Sequence, residues 1–257
     1  MRYILQHQPP QTQRNHQRLI YYSHPSHPRH NLKLLHVQKP YRCDGCRKVG
    51  VGTKYCCERC DFDLHKDCMF PTTTKVHPFF RNSVFFFRYR QPGSFIRYCD
   101  ACGDDVRGFG YHCREYGYNL HPCCSNLPRN IQSENVELRL RGNVSLNCSL
   151  CHMRVVRRGV TGWSYESTCR NYHYHVSCVE KMALESWRNG HFEHREGDNL
   201  ALANNIRTLQ RIPPRANRFR NSMFMRIAKV VFRVIVSTVL CDPTAGIAGL
   251  LYSVLSS

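Results

Sequence analysis

The sequence predicts a run of small, metal-clamped α+β repeats followed by a C-terminal helical segment. Fifteen of the sixteen cysteines lie between Cys43 and Cys178. Most fall into a recurring order of Cys, two residues, Cys, a second cysteine group, then His, two residues, Cys. Beyond residue 221 the chain changes character, to apolar residues striped with Arg and Lys.

The recurrence has a fixed period. Cys43–Cys68 (CDGCRKVGVGTKYCCERCDFDLHKDC) and Cys99–Cys124 (CDACGDDVRGFGYHCREYGYNLHPCC) align without a gap at an offset of 56 residues. Self-similarity at a constant spacing marks a duplicated structural unit. A third, looser copy opens with Cys148 and Cys151 and closes with His175 and Cys178. After the first cysteine pair each copy carries glycine and aromatic residues suited to a hairpin strand. In the third copy Val176, Val179, Met182, Ala183 and Trp187 recur at helical spacing and read as a packing face.

Thiolate sulfur and imidazole nitrogen are the ligands of tetrahedral Zn2+, and two cysteines three apart can reach one ion from a single turn. The expected sets are Cys43, Cys46, His65 and Cys68; Cys99, Cys102, His121 and Cys124; and Cys148, Cys151, His175 and Cys178. A further set in the first copy joins Cys57 and Cys60 to His30, 13 positions before Cys43, and His77, nine after Cys68. His24 and His27 lie beside His30, and spacing to Cys43 favours His30. Carrying that set forward by 56 gives Phe86, Cys113, Tyr116 and Ser133, so the second copy keeps one site. The expectation is about four zinc ions per chain. Repeats of about 50 residues cannot bury a sufficient core alone, so metal must stabilise them.

At these residues the chain resembles the plant cysteine/histidine-rich family of divergent C1 domains, relatives of the protein-kinase-C-type diacylglycerol-binding finger. YRCDGC, CERCDFDLHKDC and the following HPFF carry the resemblance. The stretches from HPFF to HPCC and from GWSYESTC to HVSC, with CDPTAGIAGLL, are similar to the multi-finger Vacuoleless Gametophytes type, and together these cover residues 24–257. The resemblance implies zinc-clamped β-hairpins with a short helix after the HxxC motif. It also implies signalling or endomembrane roles through protein or lipid contacts rather than catalysis. Two departures argue against diacylglycerol binding: Cys46 and Cys57 enclose only ten residues, and the last ligand of the first finger is read as His77. The ligand-gripping loops are therefore shortened.

Sequence character then divides the chain into a disordered basic tail (1–29), a first finger (30–77), a second, partly degenerate finger (78–133) and a third, divergent finger (134–196). A polar linker (197–221) and an apolar, basic helical segment (222–257) follow. In the second finger Phe79, Phe80, Phe85, Phe86 and Phe87 read as an apolar plug for the lost zinc, with Phe86 in the vacated ligand position. Cys113, Cys123, Cys169 and His173 read as buried thiols and a satisfied histidine, Cys169 with His173 being the best candidate for a further pair. The start of the chain has no apolar stretch long enough for a signal peptide. A reducing compartment, where Cys and His at ligand spacing mean metal, is therefore expected. The expected location is cytoplasmic, peripheral on endomembranes, with the nucleus left open.

The formal charge is +19. Each Cys3His site bound to Zn2+ subtracts one, which leaves about +16. Such basicity favours an acidic partner, whether a protein surface, an anionic membrane reached through 222–257, or nucleic acid. Neither apolar piece of 222–257 reaches the roughly 20 residues of a membrane span. A helical hairpin lying on a membrane, a partner or the fingers is expected instead. No βαβ context for redox-active cysteines accompanies the CxxC pairs, and no RING ligand order, nucleophile motif, phosphate loop or paired carboxylates are present. The reading is a non-enzymatic zinc adaptor or scaffold for a protein or membrane-lipid partner. Its rivals are a nucleic-acid-binding zinc protein and, behind that, a ubiquitin-transfer or thiol-redox enzyme.

Overall fold

A computed structural model describes residues 20–188 apart from 92, 134–135, 144–145 and 171. Most of the expected basic tail, the linker 197–221 and the helical segment 222–257 lie outside the described residues. Residues 20–29, read as the end of that tail, instead contain a strand and a turn on the first unit.

Three four-stranded antiparallel meanders follow one another. The first is β1 (Tyr21–Tyr22), β2 (Leu32–Arg42), β3 (Val49–Cys56) and β4 (Asp63–Leu64), followed by α1 (Lys66–Met69). The second is β5 (Thr74–His77), β6 (Phe80–Arg88), β7 (Gly110–His112) and β8 (Asn119–Leu120), followed by a 3-10 turn (Cys124–Asn126). The third is β9 (Asn130–Ser133), β10 (Val136–Arg141), β11 (Ser164–Ser167) and β12 (His173–His175), followed by α2 (Val176–Arg188). β-branched and aromatic residues make up half or more of β3 and β6, as suits a pleated, half-buried surface. The register between β2 and β3 slips between Val37 and Tyr41. Pro40 lies in that interval, and without an N–H it cannot donate to a regular ladder. Among the described residues no helix is long and apolar enough to cross a membrane.

Strand pairing gives the true correspondence between units. Cys56 pairs with Lys33 and Asp63, His112 with Phe86 and Asn119, and Glu166 with Arg139 and His173. Upstream of the first cysteine pair the first two units are therefore offset by 53 residues, not 56. Phe86 takes the place of Lys33 and is 41% exposed, so it does not plug a vacated zinc site. His27 and His30 correspond instead to Phe80 and Ser83. Phe80 packs against Tyr118 with ring centroids 4.4 Å apart, and that contact is the apolar replacement. The third unit carries Val136 in the place of His30 and Ser83, and its β9–β10 turn is too short to hold a counterpart of His27. Its Ser167 holds the place of Cys57 and Cys113, since all three bond through N–H to the carbonyl five residues on.

The units share cores. Leu32, Tyr55, Leu64 and Met69 pack with the first unit's cysteines and with Phe109 from the second unit. A larger cluster runs through the second and third units, with Phe85, Leu120, Leu138, Trp163, Tyr165 and Tyr174 each at most 2% exposed. One docking device joins both pairs of neighbours. Phe109 N–H donates to the Gly45 carbonyl and Trp163 N–H to the Ala101 carbonyl, each at 2.8 Å. Phe109 stacks on His24 at 5.9 Å and Trp163 on His77 at 4.4 Å. Gly45 and Ala101 are the third residues of their CxxC turns, and His24 and His77 correspond at the 53-residue offset. Gly108 permits the first approach, because a Cβ there would stand 1.9 Å from the Gly45 carbonyl oxygen.

Candidate metal centres

Each unit builds a first turn in which the residue after the second cysteine turns left-handed: Arg47 at φ 65°, Gly103 at 77° and His152 at 59°. Its N–H returns to the carbonyl of the first cysteine at 2.9, 2.7 and 2.8 Å. The left-handed region is unfavourable for Arg and His, so the surrounding turn must over-determine it. The turn aims both thiols inward, and the HxxC segment at the end of the last strand closes over them from the other side.

Four groups result, each with its ligand atoms all within 4.8 Å of one another: Cys43, Cys46, His65, Cys68; Cys99, Cys102, His121, Cys124; Cys148, Cys151, His175, Cys178; and His27, His30, Cys57, Cys60. In the first three groups an imidazole Nδ1 faces sulfur, with Cys46–His65 at 3.3 Å, Cys102–His121 at 3.4 Å and Cys151–His175 at 3.4 Å. In the fourth, His30 Nδ1 lies 3.1 Å from Cys60 Sγ. Tetrahedral ligands at ordinary Zn–S and Zn–N bond lengths stand about 3.3–3.8 Å apart, so these donor sets fit zinc. His121 Nε2 also lies 3.1 Å from the Asp105 carbonyl, the outer partner that would leave Nδ1 free for metal.

The structure gathers fifteen of the sixteen expected ligands and leaves out one. His77 does not reach Cys57 and Cys60. It lies on β5 in the second sheet, stacked on Trp163, and its Nδ1 accepts from Phe79 N–H at 3.2 Å. His27 takes the fourth place, with its ring stacked 4.4 Å from Phe62 and its Nε2 buried without a hydrogen-bond partner. The signal for it was present in sequence: His27-Pro28-Arg29-His30 has the same spacing of three as each HxxC. Cys56 lies outside the fourth group, and Cys57 is in it. Cys169 is exposed while His173 is buried with neither ring nitrogen hydrogen-bonded, and no metal group includes them among the described residues. Cys123 is fully buried against Cys46 and Cys124, between the first two centres.

Electrostatics in the third group already favours one thiolate. Hydrogen bonding from Cys178 lowers the Cys148 pKa to about 3 despite burial. Cys178 moves far upward, first through its bond to Cys148 and then through burial. Filling such a site with a metal ion displaces the remaining thiol protons.

Repeated hairpins closed by Cys/His centres define the class: small metal-clamped fingers. Residues 25–69 match the C1 domain family. Probable nucleoredoxin 1 from Arabidopsis thaliana is 44% identical over 52 residues, 20% of this chain and 9% of that protein. The chain thus covers under a tenth of that relative's length. No solved structure matches. The first unit is a C1-like, cysteine/histidine-rich zinc-binding domain, and the clusters in the second and third units are consistent with the same chemistry.

Proposed function

We propose that the chain is a zinc-loaded adaptor or scaffold, with about four structural ions, that holds a protein or membrane-lipid partner in signalling or endomembrane trafficking. The observation that carries this reading is closure. Each metal centre supplies four protein donors, which satisfies a tetrahedral ion and leaves no position for substrate. The ions then clamp the turns of each unit and do no chemistry. The likeness to multi-finger divergent C1 proteins of the Vacuoleless Gametophytes type, and the matched C1 domain, support a contact role without catalysis.

Charge favours an acidic partner. Arg42, Arg47, Lys48, Arg107 and Arg157, drawn from all three units, line an open cleft of about 370 Å³ together with two aspartates of the second unit. Arg157 lies over the Tyr98 ring at 3.7 Å, which holds its guanidinium in place. The proposed location is cytoplasmic and peripheral on endomembranes, with 222–257 as the membrane-facing segment.

The test is flotation of the zinc-loaded chain with phosphatidylserine-containing vesicles, with and without residues 222–257. Vesicle recovery that depends on the segment and survives rising salt supports the lipid partner. Recovery unchanged by the truncation overturns the membrane role of 222–257. Binding to duplex DNA or RNA that falls steeply with salt would support the nucleic-acid rival.

A further inference from the structure

The docking device that joins the units has an unused end. Corresponding to Gly45 and Ala101 is Leu150, third residue of the last CxxC turn, whose carbonyl accepts no backbone hydrogen bond among the described residues. The neighbouring positions correspond too, save that β9 brings no histidine to the place of His24 and His77. Lys48, Asp104 and Met153 each accept the N–H of their unit's first cysteine, at 3.0, 2.9 and 2.9 Å. In the covered turns Lys48 is 7% and Val106 3% exposed, while the Asp104 side chain is 45% exposed; their counterparts at the open end, Met153 and Val155, are 58% and 37% exposed. Leu146 beside them is 43% exposed. Stacked repeats end in a polar outer face when the array is capped, whereas this end exposes three apolar side chains among His152 and Arg154.

We propose that the Leu150 turn, with Leu146, Met153 and Val155, is a docking site for the glycine–aromatic hairpin tip of a further C1-type finger on a partner polypeptide. Continuity with the two internal interfaces identifies the occupant. Each filled turn receives an N–H and ring from a residue directly after glycine, Phe109 after Gly108 and Trp163 after Gly162. A second copy of this chain cannot supply such a tip. Phe109 and Trp163 are 5% and 2% exposed in their own sockets. The first unit's counterpart, Gly52–Thr53, is held in β3 against Val37 and His36. The sequence of residues 189–257 contains no glycine followed by Phe, Tyr or Trp, and a single cysteine, so it carries neither such a glycine–aromatic pair nor the ligand set of a further finger. The inference deepens the adaptor reading by naming a class of partner.

The test uses the full zinc-loaded chain labelled at methionine methyl groups, read by NMR. The probe is a backbone-cyclised peptide carrying residues 105–112, the tip around Phe109, beside the same peptide with Phe109→Ala. The expected result is a saturable shift of the Met153 methyl, at least about tenfold weaker for the alanine peptide, with the buried Met69 methyl unmoved. Val155→Glu, a change at a neighbouring exposed position that keeps the Met153 reporter, should abolish the response and leave Met69 unchanged. An unmoved Met153 signal, or equal responses to both peptides, overturns the proposal. So does contact between Met153 and residues 189–257 that blocks the peptide, because the occupant would then be the chain itself. None of these outcomes bears on vesicle flotation or zinc content, so the adaptor reading stands or falls separately.

Discussion

Lys48 of the first unit and Glu180 of the third meet at 2.7 Å, with side chains only 8% and 5% exposed. Lys48 also reaches Asp104 of the second unit at 2.6 Å, so one ammonium ties all three units together. Burial opposes its charge, but Glu180 and the neighbouring thiolates and carboxylate hold its pKa well above the ordinary lysine value.

The pair is unequal, and the inequality is measurable. Glu180 has no second cation within ion-pair distance among the described residues, whereas Lys48 keeps Asp104. Lys48→Met should cost about 3–5 kcal/mol by leaving a buried carboxylate uncompensated. Glu180→Gln should cost less. Lys48→Met with Glu180→Leu should recover much of the loss. Denaturant midpoints of the zinc-loaded variants decide it, and equal costs for the two single changes would contradict the assigned geometry.

Metal stoichiometry separates His27 from His77. Elemental mass spectrometry of the wild-type chain should count about four zinc ions. His27→Ala should lose one ion and His77→Ala none. The reverse pattern would restore the ligand set expected from spacing.

Gly108→Ala should break the contact between the first two units, because the added methyl carbon falls on the Gly45 carbonyl oxygen. Overpacking of this kind costs about 1–3 kcal/mol or more. Faster limited proteolysis between Phe70 and Gly110, with zinc content retained, is the expected readout. Unchanged proteolysis would show that the units are not joined through this carbonyl.

His77 carries a pH signature. Burial, then Lys75 and Arg129, lower its pKa from 6.5 to about 4. Its neutral form is the one that fits the fold, so its stabilising contribution is complete above pH 6.5 and is lost as pH falls towards 4. In NMR titration its ring protons should show a midpoint near pH 4. His77→Phe keeps a ring on Trp163 without a titrating nitrogen and should flatten that part of the stability profile. A midpoint near 6.5 would mean that the ring is solvated.

Much of the metal chemistry was readable in advance. Three Cys3His sets follow from ligand type and spacing, because neighbours in a tight turn have little freedom in where their side chains go. The fourth set was read with one wrong member. His30, Cys57 and Cys60 are local to two turns, but the choice between His27 and His77 depends on the path of β5, which pairs with β6 in the next sheet. The Phe86 reading failed for a related reason. The 56-residue offset holds where cysteines anchor the chain, and strand pairing alone reveals the change to 53.

By itself the sequence determined the repeat, the zinc chemistry and the turns that present the thiols, since covalent spacing limits where nearby donors can stand. Tertiary structure decided what joins the units: Phe109 on Gly45, Trp163 on Ala101, and Lys48 between Asp104 and Glu180. Those contacts lie 56 to 132 residues apart in the chain. They arise from burying aromatic rings and charges against surfaces that exist only after each finger has folded, so no local pattern encodes them.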